Sequence, residues 1–142
     1  MKKLSRLLAL TLVLLLLTTL VSCGAPKKDV NKALSSLKSK GYVAVHDTLI
    51  LPGLFKLDGY ELNSAVSASK ETTDKNGNKT KEFVGIYYFA DKQSAKEAMA
   101  AIEYYAGEDK ADTSSTDKNW IAPKRAGNII YYGTKAAVKA AR

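Results

Sequence analysis

The sequence has few of the residues from which metal centres and disulfide frameworks are built. Its 142 residues include one Cys, one His and one Trp. A zinc site built from Cys and His needs several such ligands, and a disulfide needs two thiols, so both are excluded. Proline is also scarce, with three residues. The length leaves room for one domain.

Acidic residues are the minority among the charged side chains. There are 22 Lys and Arg against 14 Asp and Glu, which gives a formal net charge of +8. The carboxyl-terminal end is the most one-sided part, because it has no acidic residue from position 118 onward. Its basic residues are Lys118, Lys124, Arg125, Lys135, Lys139 and Arg142. Two interpretations stay open: a surface that attracts anionic lipid or polymer, and a merely solvated surface.

The amino terminus has the pattern of an export signal. Lys2, Lys3 and Arg6 precede an apolar run at positions 7–21, and small residues follow it. This order is typical of a secretory signal. As a helix, a run of this length spans about 22 Å at ~1.5 Å per residue, short of the ~30 Å hydrocarbon core. The alternative of a permanent spanning helix is therefore disfavoured.

The segment Leu20-Val21-Ser22-Cys23 resembles the lipobox of bacterial lipoprotein precursors. In that family the cysteine thiol receives a diacylglyceryl group, and the signal is cleaved just before this cysteine. The resemblance covers residues 1–24 alone and implies that Cys23 is lipidated. The alternative is an ordinary secreted protein with an unpaired thiol. The implied organisation is a signal peptide at 1–22, a lipidated tether at 23–28 and one domain at 29–142.

The lipobox implies a place on the extracytoplasmic side of a bacterial cell membrane, or on an outer membrane where the cell has one. Two or three acyl chains hold a protein stably, since each buried methylene contributes ~0.8 kcal/mol. Lys27 and Lys28 lie next to the lipid, where they would attract anionic headgroups or serve only as a spacer. Nucleic acid is not an expected partner, because export removes the protein from the chromosome.

Hydrophobic periodicity predicts three helices. Apolar residues at helical spacing favour a helix from Asp29 to Lys40 and a second helix that begins after Asp91 and ends at Gly107. A short last helix at 135–142 follows Thr134 as its cap. The polar stretch between the second helix and the next strand, at 107–119, is predicted to be an exposed loop.

Runs of β-branched and aromatic residues predict five strands. The Asn76-Gly77 pair predicts a tight hairpin between two of them. The apolar stretch 49–55 has no clean period, and its Pro52-Gly53 pair predicts a loop. The strands are expected near 42–45, 61–71, 82–90, 120–122 and 128–132. The order α-β-β-β-α-β-β-α favours an α+β fold, with an antiparallel sheet and helices packed on one face as a two-layer sandwich.

Two short motifs invite a catalytic or metal-binding interpretation, and neither is complete. His46 and Asp47 are neighbours on a strand, so their side chains point to opposite faces. The segment 74–78 resembles the opening of an EF-hand loop, but Lys79 stands at the required glycine and Gly85 at the bidentate glutamate. We therefore predict no catalytic constellation, no metal site and no cofactor, and a plain hairpin turn at 74–78.

Two tyrosine doublets fall in predicted strands, and they suggest a binding surface. In each doublet one ring is expected to enter the core and the other to face outward, on the sheet face opposite the helices. The alternative is that these rings only cover a half-exposed sheet. With the two basic residues of the last hairpin, the candidate partner-binding residues are Tyr87, Tyr88, Tyr131, Tyr132, Lys124 and Arg125.

The sequence therefore predicts a lipid-anchored envelope protein whose domain binds a partner without catalysis. The partner classes are an envelope protein, or an anionic polymer or lipid. A small enzyme with Asp or Glu chemistry stays open, because the proximity of carboxylates is not visible in a sequence. A solute receptor is disfavoured because the chain offers no second lobe to close over a ligand. The sequence does not specify the oligomeric state.

Overall fold

The computed structural model describes residues 24–142, and within this range the chain forms five helices and five strands. The predicted signal and Cys23 lie outside the described residues. The elements in chain order are α1 (Val30–Ser39), β1 (Val43–Asp47), α2 (Ile50–Leu57), β2 (Leu62–Thr73), β3 (Lys79–Phe89), α3 (Lys92–Glu97), α4 (Met99–Thr113), β4 (Trp120–Ala126), β5 (Ile129–Thr134) and α5 (Lys135–Ala140).

The five strands form one open sheet in the order β1-β2-β3-β5-β4. Every neighbouring pair is antiparallel. The strand β3 is therefore central, and β1 and β4 are the two edges. The predicted α+β class, the antiparallel sheet and the succession of the predicted elements are confirmed.

The helices cover both faces of the sheet, so the predicted arrangement on one face is wrong. Along β3, Val84 and Ile86 enter one apolar cluster, and Tyr87 and Phe89 enter another. Helices α1 and α5 pack on the first side, which we call the α1 face, and α2, α3 and α4 pack on the second, the α4 face. A central strand that is apolar on both sides requires a helical layer on each.

The first helix and the first hairpin form as predicted, through local hydrogen bonds. Asp29 precedes α1 and its carboxylate accepts a hydrogen bond from the N–H of Lys32 at 3.0 Å. The β2–β3 turn contains Gly77 at φ +82°, a conformation that glycine adopts without strain. In the same turn, Asp74 accepts from the N–H groups of Asn76 and Asn78, both at 2.8 Å. The predicted hairpin turn is confirmed.

The stretch predicted as a loop around Pro52 forms the helix α2. The carboxylate of Asp47 accepts hydrogen bonds from the N–H groups of Leu49, Ile50 and Leu51 at 2.8–2.9 Å, which satisfies the free donors of the first turn. These bonds, led by that from Leu51, lower the pKa of Asp47. Pro52 is tolerated because a first-turn residue needs no N–H.

The second predicted helix is longer than expected and is interrupted at Ala98. Helix α4 passes Gly107 and ends at Thr113, where Ser114 adopts a left-handed conformation with φ +54°. A glycine inside a helix costs about 1 kcal/mol, and contacts beyond it offset this cost.

The side chain of Thr134 does not cap α5, contrary to the prediction. It accepts a hydrogen bond from the N–H of Phe83 at 3.2 Å instead.

The predicted tether is packed against the domain. The N–H of Lys27 donates to the carbonyl of Ala141 at 3.1 Å, and the guanidinium of Arg142 donates to the carbonyl of Gly24 at 3.0 Å. The hydroxyl of Tyr88 donates to the carbonyl of Lys27 at 3.2 Å. Tyr88 and the end of α5 lie on the α1 face. The amino end of the described chain is therefore fixed to this face.

Candidate functional site

The two strand tyrosine doublets are buried, so the expected outward aromatic platform is wrong. Tyr87 and Tyr132 lie in the cluster on the α4 face, and Tyr88 and Tyr131 lie in the cluster on the α1 face. All four residues are at most 6% exposed. One ring of each doublet does point to each side of the sheet, but a helical layer covers both sides.

Tyr87, Tyr132 and Asp109 form a hydrogen-bonded chain between the sheet and α4, the helix to which Asp109 belongs. The hydroxyls of Tyr87 and Tyr132 are 3.0 Å apart, and the hydroxyl of Tyr132 donates to Oδ2 of Asp109 at 2.6 Å. The two rings stack with centroids 5.9 Å apart. Gly85 makes room for this packing, since a Cβ at that position would lie 2.9 Å from the ring of Tyr132.

Burial raises the pKa values of all three groups in this hydrogen-bonded chain. It raises the pKa of Tyr87 to about 12, and it raises the pKa of Tyr132 further above its ordinary value. Burial also raises the pKa of Asp109, against the opposing effect of the hydrogen bond from Tyr132. In residues 24–142 every buried polar side-chain atom has a hydrogen-bond partner. The arrangement joins α4 to the sheet.

The two basic candidate residues do not form one patch. Lys124 lies opposite Tyr131, and Arg125 lies opposite Ile130, and these partners belong to different clusters. Because directly opposed residues point to the same side of a sheet, Lys124 and Arg125 point to opposite faces of β4. Both residues are exposed.

The neighbours His46 and Asp47 point to opposite sides of the sheet. His46 lies opposite Val66 and Asp47 opposite Ala65, so the expected divergence of the two side chains is confirmed. Asp47 is occupied by the start of α2. The part of the chain that the structure describes contains no group of three or more His, Cys, Asp or Glu placed to hold a metal ion.

The most distinctive surface of the domain is an exposed set of aliphatic side chains that sequence reasoning missed. We call it the apolar surface, and it belongs to β1, to α2 and to the residue that precedes α2. Its members and their exposed fractions are Val43 (73%), Val45 (57%), Leu49 (80%), Ile50 (73%), Leu54 (48%) and Leu57 (84%).

The pleat of β1 brings the two parts of the apolar surface to one side of the sheet. Tyr42 and Ala44 belong to the cluster on the α1 face, so Val43 and Val45 point to the α4 face. Helix α2 packs on that same face through the buried Phe55. Helix α4 lies over β3, β5 and β4, and on the other half of this face α2 lies mainly over β2, so Val43 and Val45 of β1 stay exposed.

The sequence did contain a signal for the apolar surface. Ile50, Leu54 and Leu57 recur at positions i, i+4 and i+7, which places them on one side of a helix. The buried Phe55 lies between Leu54 and Leu57 in the sequence, so α2 is apolar on more than one side. Because apolar residues lie on more than one side of α2, the stretch shows no clear helical period in the sequence.

A comparison of the chain with protein-family models, with curated proteins and with solved structures finds no match in any of the three. Among the helices of residues 24–142, none combines the length and the apolar character needed to cross a bilayer.

The half-buried carboxyl group of Asp109 gives a testable pH dependence. Its raised pKa means that the folded state holds this proton more tightly than the unfolded chain, whose ordinary value is 3.8. Its contribution to stability is therefore complete below that value and is lost as the pH rises through the folded pKa. We expect Asp109→Asn to gain stability relative to the wild type as the pH is raised from about 4 to about 7.

Urea denaturation at both pH values measures this difference, and Asp112→Asn is the matched control. Asp112 lies on the same helix and is exposed, so its substitution should leave the pH dependence close to that of the wild type. If the free energies of unfolding of the wild type and Asp109→Asn differ by the same amount at both pH values, the raised pKa of Asp109 is contradicted.

Proposed function

We propose that this protein is a lipid-anchored protein of the bacterial envelope, and that its domain is a non-catalytic binding module. The binding face is the apolar surface. One observation supports this most strongly: six large aliphatic residues on β1 and the following segment are about half exposed or more. Contiguous exposed apolar patches larger than a few hundred Å² mark interaction sites on soluble domains.

The energetics favour an occupied apolar surface. Burying one large aliphatic side chain contributes about 1.5–3 kcal/mol. Lys56 is the one charged residue within α2, so little charge opposes the docking of an apolar partner. A partner that covered even three of these residues would gain enough to offset part of the cost of association.

The packed tether supports an arrangement in which the apolar surface stays accessible. Gly24 directly follows Cys23 and is bonded to Arg142, so a lipid on Cys23 would hold the α1 face close to the bilayer. Lys27, Lys28 and Lys32 are exposed beside this tether, where they would attract anionic headgroups. The apolar surface lies on the opposite, α4 face and would point away from the membrane.

A role without catalysis is supported by the buried polar groups of the α4 face. Tyr87 and Tyr132 lie beneath α4 and are hydrogen-bonded to each other, and Tyr132 also donates to Asp109 of that helix. A general acid or nucleophile needs a free group within reach of a substrate, and the two tyrosine hydroxyls of this set are buried and already hydrogen-bonded.

The anchor is tested by Cys23→Ser in the full chain. Without the thiol no diacylglyceryl group can be attached, so we expect the protein to move from the membrane fraction to the soluble fraction. Ser22→Ala is the matched control, because it keeps a small residue before the cysteine and should leave the protein membrane-bound. Retention of Cys23→Ser in the membrane would favour a spanning segment over a lipid anchor.

The binding face is tested by photo-crosslinking in cells. A photoreactive residue at Leu57 should give a discrete adduct, since Leu57 is the most exposed member of the apolar surface. The same residue at Tyr104, which is 66% exposed on α4, is the control and should not give this adduct. Ile50→Lys should abolish the adduct from position 57. Identical adducts from both positions, or none from position 57, would contradict the proposed binding face.

A further inference from the structure

The two edge strands of the sheet differ in their protection against pairing. Strand β4 contains Pro123, Lys124 and Arg125, and its register shifts between Ile121 and Lys124. Proline, basic side chains and bulges are the devices by which proteins block an edge strand. Strand β1, with the sequence VAVHD, has no Pro, Lys or Arg and no register shift, and the carboxylate of its Asp47 is bound to the start of α2. In the described part of the chain it pairs with β2 alone.

We propose that β1 pairs antiparallel with β1 of a second copy, so that one continuous sheet crosses a two-fold dimer. This deepens the proposed function by naming the partner. The unprotected edge supplies the backbone donors and acceptors, as in recognition by strand addition. The exposed Val43 and Val45 supply apolar contacts beside them. The two-fold operation makes each copy use the same patch, as a symmetric dimer requires.

The side chains of β1 favour a two-fold axis at Ala44. In this register Val43 of each copy lies opposite Val45 of the other on the α4 face. Tyr42 then lies opposite His46 on the α1 face, and no like charges meet. An axis at Val45 would instead set Val43 against Asp47, whose carboxylate is already bound to the start of α2.

The area of the apolar surface suits a second copy. Antiparallel pairing places α2 of each copy beside the first residues of β1 in the other copy, on the same face. The six exposed side chains present on the order of 600 Å² of apolar surface per copy, which is the most that this pairing could bury from them, against the ~800 Å² per partner of a standard interface. Helix α2 lies mainly over β2, which leaves the edge of β1 free.

The symmetry of this dimer agrees with anchoring in one bilayer. Two copies of a strand that pair antiparallel are related by an axis perpendicular to the sheet, so the α1 faces of both copies point the same way. The tether is bonded to Tyr88 and Ala141 on that face. Both amino ends therefore leave on one side, as two lipid anchors in a single membrane require. This agreement rests on the proposed function, whereas the strand pairing does not.

Disulfide crosslinking of the full chain in native membranes tests the axis. Directly opposed Cα atoms of antiparallel strands are ~4.5–5.5 Å apart, within the ~4.4–6.8 Å of a disulfide. We expect Ala44→Cys to give a disulfide-linked dimer on mild oxidation. Lys124→Cys on the other edge, and the unmodified chain with Cys23 alone, should stay monomeric on the same gel.

The mass of the detergent-solubilised full chain, measured by sedimentation over a range of concentrations, is the second test. We expect a dimer for the wild type and for Tyr104→Lys, and a dissociation constant at least about tenfold weaker for Val45→Lys. Val45 is more than half exposed, so a lysine there should leave the melting temperature of the domain nearly unchanged.

Two outcomes would overturn the dimer. One is a wild-type protein that stays monomeric at every concentration and gives no crosslink through Ala44→Cys. The other is a Val45→Lys variant that dimerises as tightly as the wild type. If the protein is monomeric while position 57 still crosslinks to a different protein, the dimer is wrong and the proposed binding module stands.

Discussion

The central strand β3 determines the rest of this structure, because it is apolar on both sides. From Phe83 to Phe89 its side chains are buried or half-buried, and they alternate between two clusters. Neither side can face water without a large cost, so the chain places helices on both. The strand tyrosines are therefore buried, and α4 is held by the bond between Tyr132 and Asp109. The half of the sheet that α4 does not reach is left with exposed valines.

The sequence predicted correctly those elements that are stabilised by interactions between residues close together in the chain. The capping carboxylate of Asp29, the Asn76-Gly77 turn and the β-branched run of β3 act within a few residues, and the structure contains each of them. The end of the second helix was predicted wrongly, because Gly107 is a local signal to stop and the contacts of α4 with the sheet are not local. Helix α2 was missed for a different reason: the bonds from Asp47 at its start are local, but its apolar residues lie on more than one side of the helix and give no clear helical period.

The candidate site was harder to predict than the fold, because exposure depends on the number of layers. An alternating strand pattern shows which side chains share a face and does not show whether a helix covers that face. For the doublets Tyr87-Tyr88 and Tyr131-Tyr132, the prediction that the two rings point to opposite sides of the sheet is confirmed, and the prediction that one of them is exposed is wrong. The apolar surface went unnoticed for the converse reason, since Val43 and Val45 look like core residues until the sheet is seen to end at β1.

Whether the edge of β1 is occupied in the full chain decides between the proposed dimer and an open edge. Amide hydrogen exchange, read by mass spectrometry on the full chain in the membranes to which we propose it is anchored, measures this directly. If β1 pairs with a second copy, we expect its amides to exchange about as slowly as those of the interior strand β2. The amides of the other edge strand, β4, should exchange faster. Equally fast exchange in β1 and β4 would show an open edge and would contradict the proposed dimer.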